Sequence, residues 1–242
     1  MASHGRKQRM TSRITNASSA YLQAVDCLPD HQTFSGHLVA RCHRWQDRVG
    51  HSLWWREASL PSPETSLSPV KALSSPGAGP GEMLILQSQE GEASDPWPLS
   101  PPLQEIVAEP LAAGRRPVLL GVGMAGRSHW SATIEGDGMA EAIAMDIACR
   151  TAAAPARLGS SYRVPPAWEA SLVDERSLHL QHPLGMSVLV EVIGALQLRW
   201  TAPQLTLCLP VDAENHHRGQ TYRWRYVVRA ALTRTGEPGV VS

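Results

Sequence analysis

Arg127, Ser128, His129 and Trp130 follow one another in the chain, so a guanidinium, a hydroxyl, an imidazole and an indole stand beside a glycine-rich stretch. Such a set could hold an anionic ligand or supply a general base. Arg127, His129 and Trp130 are therefore candidate ligand-binding residues, with a purely structural place at a strand edge as the plainer alternative. A Ser/His/Asp triad drawn from Ser128 or Ser131, His129 and Asp146 has less support. There is no G-x-S-x-G elbow, and adjacent side chains on an extended chain point apart. His216 and His217 lie in the polar segment DAENHHRGQ with Asp212, Glu214 and Asn215. Imidazole and carboxylate ligands for a divalent metal are thus close at hand, and the two histidines are candidate metal residues, the more so if His129 or His182 reaches the same end of the sheet. The bland alternative is a solvated turn.

Gly121-Val122-Gly123-Met124-Ala125-Gly126 matches GxGxxG after an apolar run. A dinucleotide fingerprint requires its third glycine to open a helix whose amides meet the pyrophosphate. RSHWSATIE follows instead and reads as a strand, so a glycine-rich bend or bulge entering a strand is the better account and no cofactor is expected.

The elements that position these residues are strands. From Thr221 to Ala231, Tyr222, Trp224, Tyr226 and Val228 alternate with Arg223, Arg225 and Arg229, which gives an apolar inner face and a cationic outer one. Nucleic-acid readers present basic and aromatic groups on one surface; here they point apart, so the row gives no strong nucleic-acid signal. Asp146 and Glu191 sit among apolar neighbours, and cross-strand pairing with the arginines on the outer face is expected. Trp130, Ala132 and Ile134 alternate with polar residues up to Gly136-Asp137-Gly138. The stretch 139–150 fits either a strand, which completes a hairpin, or a helix capped by Asp137; the strand is favoured. Further strands are expected at 178–182, 187–200 with a bulge at Gly194, and 204–209, while 158–176 reads as loop. Six to eight strands with little helix predict a mainly β protein, an antiparallel sheet or β-sandwich in the C-terminal half.

Upstream the pattern weakens. Ten of the nineteen prolines fall between Ala58 and Pro110, which predicts a Pro/Ser-rich linker over 58–115, interrupted by an apolar run, Met83 to Leu86, that could add a strand to the following domain. Residues 1–57 show no sustained period beyond one possible helix through Leu38, Cys42, Trp45 and Val49. That region is expected to be largely disordered, or to lie upstream of a translation start at Met83. The antiparallel β domain is then 116–242.

Twenty-two basic and twenty-two acidic residues cancel, and no block has the charge of a dedicated DNA-binding surface. Only Lys7 and Lys71 are lysines and Phe34 is the sole phenylalanine. This composition points to a GC-rich genome and weakens each arginine as a sign of recognition. Four scattered cysteines form neither a disulfide framework nor a CxxC zinc site. With no secretory signal and no membrane-length apolar run, a soluble, cytoplasmic protein is expected.

PPLQEI, GMAGRSHWSATIE, MDIACR and LGSSYR, between Pro101 and about Tyr162, resemble segments of uncharacterised proteins encoded by planctomycete bacteria. The resemblance covers about a quarter of the chain; it implies an origin and transfers no site. The functional expectation is a non-catalytic β-domain binding or interaction module with an unidentified partner, a protein being one candidate. The alternative is a metal-dependent hydrolase or small-ligand enzyme using the loop histidines.

Overall fold

A computed structural model of the chain describes residues 27–57, 81–111, 117–212 and 214–231. The described residues form fifteen strands and no helix. In chain order these are β1 (Cys27–Ser35), β2 (Leu38–Trp45), β3 (Arg48–Arg56), β4 (Glu82–Ser88), β5 (Glu105–Glu109), β6 (Val118–Ala125), β7 (Ser128–Asp137) and β8 (Ala142–Arg150), then β9 (Leu158–Arg163), β10 (Glu169–Asp174), β11 (Ser177–Gln181), β12 (Ser187–Ile193), β13 (Gln197–Thr201), β14 (Gln204–Leu209) and β15 (Thr221–Ala230). They make two antiparallel sheets, ordered β1-β2-β3-β4-β9-β14-β13 and β10-β11-β12-β15-β8-β7-β6-β5. One apolar cluster between the sheets is shared by both, so the molecule is a β-sandwich.

Alternation works as expected on β7, β8 and β15. Trp130, Ala132 and Ile134, Ile143, Met145 and Ile147, and Trp224, Tyr226 and Val228 are all buried inward. Asp137 still caps, since its Oδ1 accepts from the amides of Met139 and Ala140 at 3.0 and 3.2 Å, but it caps a turn rather than a helix. On the outer face Arg223 donates to both oxygens of Asp146 at 2.7 Å, and Arg229 Nε to Glu191 at 2.5 Å.

Four expectations need correction. The sheets are not confined to the C-terminal half, because residues 27–56, expected to be disordered, supply β1, β2 and β3. The helix expected through 38–49 is the β2–β3 hairpin; Leu38, Ala40 and Cys42 face the core at period two, and Gln46 turns the chain with φ 54°. The apolar run at 83–86 is indeed a strand, β4, and a register shift opposite Leu53/Trp54 lets both Ile85 and Leu86 be buried. Residues 58–80 of the expected linker lie outside the described residues. The segment read as loop contains β9 and β10. β9 is internal, between β4 and β14, and its first five residues are all buried, so it shows no alternation. Finally, the run 187–200 is two strands in different sheets: Gly194, at φ 75°, turns the chain out of β12 and toward β13.

Gly123 explains the glycine-rich stretch. It lies within β6, where a Cβ would stand 1.9 Å from the carbonyl oxygen of Pro102. Backbone cannot yield as a flexible side chain can, so Gly123→Ala should cost at least about 2 kcal/mol. Gly138→Ala, with nothing within 4 Å of its Cβ position, should be neutral or slightly stabilising. Urea melts of the two variants check this, and equal midpoints would refute it.

Candidate functional site

β2 and β3 set His43 opposite Gly50, and the missing side chain leaves space beside the imidazole. A Cβ on residue 50 would stand 2.6 Å from His43 Nε2 and 3.0 Å from Glu90 Oε1. Imidazole and carboxyl are therefore neighbours, no further apart than those two distances together. Glu90 lies just beyond β4 and is 5% exposed. The Ser88 hydroxyl donates to Glu90 Oε1, and its oxygen accepts the His51 amide at 2.8 Å. The second carboxyl oxygen, Glu90 Oε2, is buried with no partner, as is Oε1 of the adjacent Gln89.

The loop carrying Glu90 is tied down at several points. Arg48, 2% exposed, donates from Nη1 to the Glu90 carbonyl and from Nη2 to that of Ala93, both at 2.9 Å. The Gln89 amide reaches the Ser161 carbonyl at 2.9 Å, and Ser100 Oγ donates to the same oxygen at 3.0 Å. Between this loop and the β2–β3 hairpin is a recess of about 290 Å3, whose lining includes His43, Trp45, Gln89, Glu90, Ala93 and Leu99.

Burial governs the electrostatics. It pushes the Glu90 carboxyl up to about 7, against the downward pull of the Ser88 hydrogen bond and of Arg48, and it lowers His43 to about 4. At neutral pH the imidazole is uncharged while the carboxyl is divided between its two forms.

A second polar group runs through the core. His51 Nε2 lies 2.6 Å from Tyr162 Oη, which hydrogen-bonds Tyr226 Oη; Met145 Sδ lies 3.3 and 2.9 Å from the two phenol oxygens and accepts from the hydroxyl that does not donate to the other. His51 and Tyr162 belong to the seven-stranded sheet, Tyr226 and Met145 to the eight-stranded one. Burial first, then the nearby His43, lowers His51 to about 3, and burial raises both tyrosines. This chain joins the two layers and is itself completely inside.

No protein-family model and no curated protein matches the chain. The site must be interpreted from its own groups.

The residues singled out by sequence lie elsewhere. Arg127 and His129 line a shallow depression of about 170 Å3 with Arg150 and Arg218, whereas Trp130 points the other way into the core, edge-on to Trp224 at 5.9 Å. The triad does not assemble. Ser128 is buried inward and His129 is exposed; Asp146 is held by Arg223 and lies four residues along β8 from Arg150, the cross-strand partner of His129, which is about 13 Å at strand rise. His216 stacks on Tyr222 and its Nδ1 lies 3.1 Å from the phenol oxygen, while the His217 amide bonds Gln220 Oε1 at 3.0 Å. Among the described residues no three His, Cys, Asp or Glu side chains are grouped to hold a metal. A larger hollow of about 600 Å3 lies over the outer face of the eight-stranded sheet, with Glu135, Asp137 and Met139 in its lining; these three are exposed, so nothing there resembles the desolvated carboxyl of Glu90. Sequence reasoning missed His43, Ser88 and Glu90. The one available signal was the polar cluster QSQEGE directly after an apolar run, which the surrounding prolines masked.

Proposed function

We propose that the protein is a non-catalytic binding module whose ligand occupies the recess between the β2–β3 hairpin and the loop after β4. Glu90 carries this reading. A buried carboxyl with one oxygen engaged by Ser88 and the other unpartnered beside a cavity leaves a cost of about 1–3 kcal/mol that a bound group would offset. Binding is favoured over catalysis because the Ser88 hydroxyl gives its proton to a carboxyl and not to an imidazole, so the relay that activates a serine is not assembled. The loop histidines, with one ring stacked on Tyr222, support an enzyme less well.

Cys42, Cys149 and Cys208 are free thiols, which accords with a reducing compartment, and a cytoplasmic location is part of the proposal. No helix among the described residues is long and apolar enough to cross a membrane.

Ala93 is exposed and lines the recess, so Ala93→Phe should obstruct its mouth without disturbing the core. Ligand-observed NMR with a diverse fragment library should find molecules that bind the wild type and are lost from this variant. Equal binding to both proteins, or no binder at all, would overturn the proposal.

A further inference from the structure

The recess sets several demands on its occupant. Two buried acceptor oxygens, Glu90 Oε2 and Gln89 Oε1, have no donor. Two further amides, Gln46 and Gln87, line the same space and can each both donate and accept. Trp45, half-buried, and Leu99 supply apolar contact. Resting on the reading of this recess as a ligand site, we infer that it takes a neutral, polyhydroxylated molecule of monosaccharide size, held through Glu90, Gln87 and Gln89 with the Trp45 indole alongside.

Charge argues for neutrality. The Arg48 guanidinium is buried against the backbone of the same loop that carries Glu90, so a buried cation and a buried carboxyl share the site. An ammonium ligand would add a second positive charge near Arg48, and a carboxylate or phosphate would face Glu90. Protonation argues for hydroxyls. Because Glu90 titrates near 7, its carboxyl alternates around neutrality between accepting only and also donating. An ammonium ion satisfies only the ionised form and an anion only the protonated form, whereas a hydroxyl donates to one and accepts from the other. Size agrees, since about 290 Å3 is at the lower limit of small-molecule pockets. A tryptophan offers an apolar body with a polar edge, which suits a ring whose C–H face and hydroxyl rim point in different directions.

The test is isothermal titration of the full chain with glucose, galactose, mannose and myo-inositol, at pH 6 and pH 8, with choline and acetate as charged comparators. At least one of the four polyols should bind. Its affinity should change less than threefold between the two pH values, fall at least tenfold in Ala93→Phe, and fall at least fivefold in Gln89→Leu, which removes the amide while preserving bulk. If choline or acetate binds and the polyols do not, with loss in Ala93→Phe, the ligand class is wrong while the binding module stands. Polyol binding undiminished in Ala93→Phe, or no binding by any probe, would overturn the inference; the fragment screen judges the recess separately.

Discussion

A chain shortened to begin at Met83 should lose cooperative unfolding altogether. It would lack β1, β2 and β3, and with them Leu38, Ala40, Cys42, Val49, Leu53 and Trp55 of the shared core. Burying a large apolar side chain contributes about 1.5–3 kcal/mol, so the loss is on the order of 10 kcal/mol, comparable with the whole stability of a typical domain. The remaining part would also expose Ile85 and Leu86 on β4, now an edge strand, and strip Tyr162 of its His51 partner. Calorimetry and dye binding check this: no sharp transition and strong dye uptake are expected, and a cooperative transition within about 3 °C of the full chain, the shift of roughly 1 kcal/mol, would refute it.

Acid should destabilise the protein from a maximum near pH 6.5, by roughly 5 kcal/mol at pH 3.5. Three buried groups set most of the shape, and His182, which burial also lowers, adds to the fall in the same direction as the other two histidines. His43 and His51 stay neutral in the fold down to about 4 and about 3, while an unfolded chain takes up protons on both below its ordinary value of 6.5. Stability therefore falls as pH falls. Glu90 acts oppositely: the folded protein keeps a proton up to about 7 that an unfolded carboxyl has lost above 4.5, so its contribution falls as pH rises through that window. Between 6.5 and 4.5 the two histidines outweigh the one carboxyl by a single proton, a slope of about 1.4 kcal/mol per pH unit. Below 4.5 Glu90 drops out and the slope steepens. His51→Phe should take about one proton, roughly 1.4 kcal/mol per pH unit, out of the slope between 6.5 and 4.5, leaving His43 and Glu90 to cancel. Denaturant melts across pH read the slope directly, and an identical acid limb in the variant would show that His51 is not its source.

The mainly β class was legible because half-buried strands announce themselves by alternation. β15 displays it plainly, and from it followed the inward Trp224 and Tyr226 and the outer pairs Arg223–Asp146 and Arg229–Glu191. Strands buried on both sides gave no such signal. Leu158 to Tyr162 has small residues, Gly159, Ser160 and Ser161, at its centre, and Gly159 stands where the paired strand β14 comes close: a Cβ there would lie 2.0 Å from the Leu207 carbonyl oxygen. β3 is buried along nearly its full length, and its pattern was equally mute. The recess was hidden for a related reason. His43, Gly50 and Glu90 are separated in sequence and joined only by the β2–β3 register and the loop that Arg48 ties down. Arg127, His129 and Trp130 looked like a site because they are close in sequence, but His129 and Trp130 are neighbours on β7, and that alternation sends Trp130 into the core while His129 faces out.

The seven-stranded sheet is stitched at its middle by very little. β4 meets β9 through only two residue pairs, Gln87 with Arg163 and Ser88 with Tyr162, whereas β8 and β15 pair along nine. That short join, continued by the bond from the Gln89 amide to the Ser161 carbonyl and backed by one from Trp168 Nε1 to the Leu84 carbonyl, is the least extensive in the sheet, and a fault is expected to open there first. Ser88 lies on it, bonded to Glu90 on one side and to the His51 amide on the other. A molecule seated against Glu90 would thus act as a clasp across the fault, and its arrival would be felt as slower amide exchange in β4 and β9, well away from the atoms it touches.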